Sequence, residues 1–253
     1  MLDCISVENM RLSDDWTIRN RISSLELMYR AARGVFRAVT WYGNIAILTG
    51  SGNNGGDGYA LACILKDHGF KPCIFTLSER ISSDSAFYAE KATGAGISIQ
   101  PFQPGIGCLM NQDIVVDCLL GTGFRSDLRR GYQEAIQEIN QSKAYIVSVD
   151  INSGMNGDTG ESELAVHSDM TVTIGYVKNG LITHPAETNI KKLICTDIGI
   201  VLQKEETKLC SADEWMLLKN QFGFSTDLPF CHNNIVYRPY PSWLDGNIIS
   251  STD

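Results

Sequence analysis

Three loops combine glycine with polar side chains of the kinds that bind anions, ligate cations or move protons. They span residues 50–58, 117–127 and 150–160, and each follows a short apolar run that is typical of a buried strand. In an open parallel sheet, ligands bind beyond the carboxyl ends of the strands, so we expect the three loops to meet at one edge. A single glycine-rich turn would be weak evidence, whereas three at the same edge indicate a binding site.

The first loop, GSGNNGGDG at 50–58, precedes a helical pattern and has the composition of a phosphate-binding turn. Glycine lets the backbone approach an anion closely, and a helix start offers unpaired N–H groups at the positive end of its dipole. Asp57 does not suit a phosphate cradle, so it either caps the helix or faces a sugar hydroxyl or another donor. The loop is not a Walker A motif, and Gly50-x-Gly52-x-x-Gly55 matches the dehydrogenase fingerprint only weakly. The plain alternative is a tight turn before a capped helix.

Two aspartates, Asp117 and Asp150, each end an apolar strand pattern. A carboxylate in that position can cap the next turn, ligate a metal ion or act as a general acid or base. Asn54, Asp117 and Ser153 together offer only oxygen ligands with a single carboxylate, which suits a hard, weakly charged cation better than zinc. Asp150 is then the carboxylate that remains to move a proton. The chain lacks the usual nucleophile arrangements, since Ser51 is not in a G-x-S-x-G elbow and no cysteine has an obvious histidine partner.

The composition is that of an ordinary globular protein, with 253 residues, 43% of them hydrophobic and 20% charged. A formal net charge of -8 argues against nucleic acid or an anionic membrane surface as the main partner. No apolar run is long enough to span a bilayer, and no secretory signal is visible. The eight cysteines are scattered without a C-x-x-C pair, which indicates small buried side chains in a reducing compartment, and we expect a cytoplasmic protein.

The hydrophobic pattern predicts two helices, over 6–18 and 23–39, that cover one sheet face or form a subunit contact. From residue 45 onward, strands alternate with helices of about ten residues, which predicts βαβ units and a parallel sheet with helices on both faces. The pattern weakens after residue 210. We therefore expect one α/β domain over 1–210 and an irregular C-terminal extension over 211–253.

Four motifs, taken together and in order, resemble the NAD(P)H-hydrate epimerase family. They are Gly52–Gly58, Asp117 with Gly121-Thr122-Gly123, Asp150–Gly154 with Asp158-Thr159-Gly160, and Thr171–Gly180 with its lysine at 178. The match extends from about residue 6 to 200, and the Asp197–Ile200 close is also family-like. This family includes the apolipoprotein-A-I-binding proteins of animals and the N-terminal half of bifunctional nicotinamide-nucleotide repair proteins of bacteria.

The resemblance implies a Rossmann-like three-layer αβα sandwich, a homodimer, and an isomerase of metabolite repair. Its reaction would interconvert the R and S epimers of hydrated NADH or NADPH at C6 of the damaged nicotinamide ring. A potassium ion would be held by Asn54, Asp117 and Ser153. A separate ADP- or ATP-dependent dehydratase would act downstream. The residues implied in binding the hydrated dinucleotide are Asn53, Asn54, Gly55, Gly56, Asp57, Gly121, Thr122, Gly123, Phe124, Arg125, Ser126, Asp127 and Asp150.

Asp150 is the expected catalytic residue. In this hypothesis it protonates the C6 hydroxyl, which leaves, the ring nitrogen stabilises the resulting iminium, and water returns to either face. Two positions depart from the family: Asn152 replaces a usual proline, which we expect to loosen the turn, and Tyr29 and Ala32 alter the second helix. The alternative function is a catalytically silent nucleotide-binding or protein-interaction module on the same fold. A transferase is a further alternative, but the chain offers it neither a nucleophile nor a pair of magnesium-binding carboxylates.

Overall fold

The protein is described here by a computed structural model that covers residues 1–124, 127–223, 225, 228–244 and 248–251, with the side chains of 249–251 left out. The helices are α1 Val7–Asn20, α2 Ser24–Ala38, α3 Asn53–Asp67, α4 Ser83–Gly94, α5 Arg130–Gln141 and α6 Ala212–Phe222. The strands are β1 Leu2–Ile5, β2 Ile45–Thr49, β3 Cys73–Thr76, β4 Ser98–Pro101, β5 Ile114–Cys118, β6 Tyr145–Val149, β7 Met170–Ile174, β8 Val177–Lys178, β9 Leu193–Thr196, β10 Thr207–Cys210, β11 Phe230–His232, β12 Ile235–Pro239 and β13 Ile248–Ser251.

The main sheet has eight strands in the order β13-β9-β7-β6-β5-β2-β3-β4, and every neighbouring pair is parallel. Its central strands are buried along their whole length, as expected when helices cover both faces. The prediction of a doubly covered parallel α/β sheet is therefore confirmed. A smaller mixed sheet, in the order β11-β12-β10-β1-β8, joins the N-terminal strand to later segments of the chain.

The two faces of the main sheet follow the alternation of side chains along each strand. Ile45 and Ile47 pack in one hydrophobic cluster with α2, α3 and α4, whereas Ala46 and Leu48 pack in another with α5. Helix α2 lies against α3, β7 and β9, which confirms that it covers a sheet face. The helix starts follow local capping: Ser23 Oγ, for example, accepts a hydrogen bond from the backbone N–H of Glu26 at 3.3 Å.

The C-terminal extension is not irregular, so that prediction is wrong. Ser211 and Glu214 form a capping box at the start of α6, and β11 and β12 form an antiparallel hairpin through Asn233 and Asn234, both with positive φ. Strand β12 pairs with β10, and β13 pairs with β9 at the edge of the main sheet. These strands depend on partners far away in the chain, which a local pattern does not reveal. The division at residue 210 stays a prediction.

Candidate active site

A cavity of about 770 Å³ lies where the carboxyl ends of β2, β5 and β6 meet, beneath α1 and α2. This is the edge at which the three glycine-containing loops were expected to converge. The predicted binding residues that line it are Asn53, Asn54, Asp57, Gly121, Thr122, Gly123, Phe124, Asp127 and Asp150. Gly55 and Gly56 lie behind this wall in the first turn of α3, and Arg125 and Ser126 fall outside the described residues.

Glycine at two positions allows close backbone contacts at the site, one between the first two loops and one within the first loop. A Cβ on Gly50 would lie 1.9 Å from the carbonyl oxygen of Leu119, and a Cβ on Gly55 would lie 2.4 Å from the carbonyl oxygen of Gly50. Both contacts are with backbone atoms that cannot turn away. Gly52 then serves as the N-cap of α3 without a side-chain capping bond, so the helix start faces the cavity unblocked by a capping side chain.

Asp57 does not cap α3, which corrects one of the two readings of this residue. The helix begins at Asn53, within the stretch 50–58 that was expected to form a loop, and Asp57 lies in its second turn and in the cavity wall. Burial, followed by the nearby charges of Asp150 and Asp14, raises the pKa of Asp57 well above its ordinary value. Asp57 therefore holds a proton more readily than an exposed aspartate does.

Helix α1 contributes three charged residues that the sequence did not indicate, Arg11, Asp14 and Asp15. The Arg11 guanidinium donates a hydrogen bond to the carbonyl oxygen of Thr122, and Asp14 lines the cavity. Burial, with Asp15 and Asp150 nearby, raises the pKa of Asp14 from 3.8 to about 6. These residues could not be recognised as site residues from the sequence. Helix α1 carries few apolar residues, so its charged side chains resemble those of a helix face exposed to solvent.

Asp150 follows β6 with φ 70, an uncommon backbone conformation for a residue other than glycine. Its Oδ1 accepts a hydrogen bond from Lys178 Nζ at 2.5 Å, and its Oδ2 accepts one from the backbone N–H of Thr122 at 3.3 Å. The side chain of Asp150 is 13% exposed and that of Lys178 is 0% exposed. Lys178 belongs to one of the motifs noted in the sequence, but no role was assigned to it.

Asn54, Asp117 and Ser153 are brought together, as the sequence predicted. Ser153 Oγ donates to Asp117 Oδ1 at 2.5 Å and accepts from the backbone N–H of Leu120 at 2.9 Å. Asn54 Nδ2 donates to the carbonyl oxygen of Leu120 at 2.9 Å. Burial raises the pKa of Asp117, although hydrogen bonds from Ser153, Leu119 and Ser148 oppose this effect. Asn54 and Ser153 thus both bond the backbone of Leu120, and Asp117 bonds Ser153 and the backbone N–H of Leu119.

This cluster has the chemistry of a cation site. Asn54 Oδ1 is buried and accepts no hydrogen bond from any described residue. An unpaired buried oxygen is costly, and a bound cation relieves that cost. The ligand atoms that Asn54, Asp117 and Ser153 offer are all oxygens, and only one of the three side chains is a carboxylate, which fits a hard monovalent cation. Within the described parts of the chain, no group of three or more His, Cys, Asp or Glu side chains is placed to share a metal ion.

Asn152 does not loosen the turn after β6, so that expectation is wrong. Its side chain is completely buried, and its Nδ2 donates to the carbonyl oxygens of Val166 and Asn189, both at 2.8 Å. Its Oδ1 accepts a hydrogen bond from Thr171 Oγ1 at 2.6 Å. The amide therefore fastens the loop that carries Asp150 and Ser153 to the neighbouring strand and its flanking segments.

All eight cysteines are free thiols, and five of them are buried. This agrees with the expectation that most are small core side chains. Burial raises the pKa of Cys118, which lies at the end of β5, well above its ordinary value. No helix among the described residues is both long and apolar enough to cross a bilayer.

Comparison with known proteins places the chain in a family. The family described as YjeF-related protein N-terminus matches residues 24–180. The chain is 38% identical over 190 residues to the NAD(P)H-hydrate epimerase of Rhodopirellula baltica, with 70% of this chain and 76% of the relative covered. It is 33% identical over 199 residues to the NAD(P)H-hydrate epimerase of Limosilactobacillus fermentum, with 76% and 95% covered.

A bifunctional NAD(P)H-hydrate repair enzyme of Archaeoglobus fulgidus is 37% identical over 202 residues, which is 79% of this chain but 42% of that enzyme. The chain thus spans less than half the length of the bifunctional relatives that it matches. The crystal structure of yeast ynu0, YNL200c, superposes with a TM-score of 0.62 at 22% identity, over 75% of this chain and 84% of the yeast chain, which shows the shared fold. The chain belongs to the YjeF-related protein N-terminus family.

Proposed function

We propose that this protein is an NAD(P)H-hydrate epimerase, which interconverts the R and S epimers of hydrated NADH and NADPH at C6 of the nicotinamide ring. The observation that carries the proposal is the cavity at the strand ends, whose wall includes Asp150 and residues of all three glycine-containing loops. Membership of the family and the names of its relatives in Rhodopirellula and Limosilactobacillus support the same reaction.

The cavity suits a dinucleotide in size and in the distribution of its groups. Its volume of about 770 Å³ lies in the range of small-molecule sites. The start of α3 and the backbone at Gly121 and Gly123 favour the pyrophosphate, because unpaired N–H groups and the helix dipole attract an anion. Arg11 and Arg129 line the same cavity and add positive charge. The hydrated ring then lies towards Asp57 and Asp150.

The proposed chemistry moves one proton and one water. The C6 hydroxyl takes a proton and leaves as water, while the lone pair of the ring nitrogen forms the C6=N iminium. A water then adds to C6 from the other face and gives its proton to a carboxylate. Asp150 exchanges the proton at the hydroxyl, and Asp57, whose pKa is raised by burial, is the nearby carboxyl that holds a proton more readily than an ordinary aspartate.

A potassium ion is proposed as the cation held by Asn54, Asp117 and Ser153. The support is the unpaired Asn54 Oδ1, the carbonyl oxygen of Leu120 beside it and the single carboxylate of the set. When bound, this ion supplies a positive charge beside the loop at Leu120, which orders that loop and favours the anionic substrate. The protein's own side chains carry out the proton transfers.

A homodimer, a cytoplasmic location and a separate dehydratase that acts downstream stay predictions. The names of the bifunctional relatives support the pairing with a second repair activity.

The proposed function is tested by supplying purified (R)-hydrated NADPH and following formation of the S epimer, with sodium or potassium as the only alkali cation. We expect acceleration over the spontaneous rate, and faster turnover with potassium. Tight binding of the hydrate without acceleration would contradict the proposal and favour the silent nucleotide-binding module. Acceleration that is equal in the two salts would contradict the potassium site alone.

A further inference from the structure

Lys178 is the largest of the side chains that are completely buried among the described residues. Its Nζ donates to Asp150 Oδ1 at 2.5 Å, to the carbonyl oxygen of Ile174 at 2.7 Å and to Thr173 Oγ1 at 3.1 Å. An ammonium has three N–H donors, so each is used. Lysine is rarely buried unless it is paired, and here the pairing directs its charge to a single carboxylate.

The two oxygens of Asp150 have different surroundings. Oδ1 is held by Lys178. Among the described residues, Oδ2 accepts only a long hydrogen bond of 3.3 Å, from the backbone N–H of Thr122. A Cβ on Gly121, which lines the cavity, would lie 3.0 Å from Oδ2. Oδ2 therefore borders the cavity. Lys178 is not itself among the residues of the cavity wall, and it contacts two residues of that wall, the carboxylate of Asp150 and the backbone carbonyl of Ile174.

The backbone at Asp150 also needs support. Its φ of 70 is unfavourable for a residue with a side chain, and such conformations persist where neighbouring contacts hold them. The backbone N–H of Asp150 donates to the carbonyl oxygen of Val172 at 2.8 Å, and Thr173 and Ile174 on the same strand hold Lys178. Strand β7 thus fixes both the main chain of Asp150 and the ammonium that holds its side chain.

We propose that Lys178 is a positioning residue for the epimerase reaction. It holds Oδ1 of Asp150, so that Oδ2 is the oxygen presented to the C6 hydroxyl of the substrate. This inference rests on the proposed function. Its effect belongs to the reacting step rather than to binding, because Lys178 does not touch the cavity and a carboxylate displaced by about 1 Å can lose about 10²-fold in rate.

The test compares kcat and KM for hydrated NADPH in Lys178→Met with those of the wild type. We expect kcat to fall about 10²-fold and KM to stay within about threefold. The matched control is Lys191→Met, which breaks an exposed lysine–aspartate pair, since Lys191 Nζ donates to Asp169 Oδ1 at 2.7 Å with 78% of the lysine side chain exposed. Its kcat and KM should equal those of the wild type.

A merely structural role for Lys178 would lower the folded fraction but leave kcat per folded molecule unchanged, and that result would overturn the inference. A higher KM with unchanged kcat would overturn it as well. If Lys178→Met fails to fold, Thr173→Val carries the test, because it removes one partner of the ammonium and keeps both charges. It should lower kcat at least about threefold without raising KM, and an unchanged kcat would overturn the inference. A wild type without epimerase activity would instead overturn the proposed function.

Discussion

Ser153 and Asp117 are joined by two hydrogen bonds, one from the Ser153 backbone N–H to Asp117 Oδ2 at 2.9 Å and one from Ser153 Oγ to Asp117 Oδ1 at 2.5 Å. This double contact fastens the loop after β6 to the end of β5. Both residues are completely buried, so the contact is not exchanged with water. The same Ser153 oxygen also accepts the N–H of Leu120, which links the pair to the loop that borders the cavity.

Replacing Ser153 with Ala should weaken both the fold and the response to potassium. The variant leaves the N–H of Leu120 without its acceptor and removes one of the two hydrogen bonds to Asp117 Oδ1, and an unsatisfied buried polar group costs about 1–3 kcal/mol. Urea unfolding measures this loss. The matched control is Ser148→Ala, which removes a hydrogen bond to Asp117 Oδ2 but no contact with Leu120. Activation by potassium should be lost in Ser153→Ala and kept in Ser148→Ala, and equal behaviour of the two variants would contradict the cation site.

Replacing Asn152 with Ala should destabilise the protein by about 1–3 kcal/mol, since the carbonyl oxygen of Val166 loses its hydrogen-bond donor, and the carbonyl oxygen of Asn189 and the hydroxyl of Thr171 each lose one hydrogen bond. The midpoint of thermal unfolding provides the measurement. The control is Asn20→Ala, which removes an exposed side-chain hydrogen bond to the carbonyl oxygen of Trp16. A variant Asn152→Ala as stable as this control would show that the buried amide does not hold the turn.

Replacing Asp14 with Asn should stabilise the folded protein at neutral pH. In the wild type the pKa rises from 3.8 to about 6 on folding, so the folded state binds the proton more tightly. The contribution of this bound proton to the free energy of unfolding is therefore fully present below pH 3.8, and it is lost as the pH rises through 6. At pH 7 the variant should therefore be more stable by about 1–2 kcal/mol, allowing for partial exposure of the carboxyl. Unfolding at several pH values measures the difference in free energy of unfolding between the variant and the wild type. This difference should shrink between pH 6 and 4. A difference that stays constant or widens on acidification would contradict the raised pKa of Asp14.

The proposed chemistry also predicts the fate of isotopes. Because the C6 hydroxyl leaves and water returns, epimerisation in water enriched in oxygen-18 should introduce the label at C6. The C6 hydrogen never leaves, so a reaction in heavy water should introduce no deuterium there. Mass spectrometry of the epimers distinguishes the two labels. Deuterium at C6 without oxygen exchange would mean that the enzyme removes the C6 proton instead.

The strands and helices of the main sheet could be predicted from the sequence because their patterns are strong and local. The apolar runs that precede the three glycine-containing loops, for example, form β2, β5 and β6. The start of α3 could not be predicted from the sequence, because Gly55 and Gly56 resemble turn residues although they lie within the helix. The capping interpretation of Asp57 failed for the same reason.

The candidate site was predictable where strand ends carry it. Asn54, Asp117 and Ser153 come together because three parallel strands end at the same edge of the sheet. Asp14 and Lys178 were not predicted as site residues, since one reaches the cavity from a separate helix and the other holds Asp150 across 28 positions of sequence. Neither position differs locally from an ordinary charged residue.

The proposed catalytic role of Asp150 is tested by Asp150→Asn, which keeps the shape of the side chain and removes its ability to exchange a proton. We expect epimerisation to fall about 10²–10⁴-fold while the dissociation constant for hydrated NADPH stays nearly unchanged. The control is Asp169→Asn, which removes the charge of the half-buried partner of Lys191, away from the cavity, and should keep wild-type turnover. Full turnover in Asp150→Asn would contradict the assignment of this residue.

The central claim is tested most directly by starting two reactions with the wild-type protein, one from pure (R)-hydrated NADPH and one from the pure S epimer. A catalyst accelerates both directions without moving the equilibrium, so both should reach the same mixture of epimers well before the protein-free samples do. If the protein binds the hydrate but both reactions reach the equilibrium mixture no faster than the protein-free samples, the proposed epimerase function is contradicted.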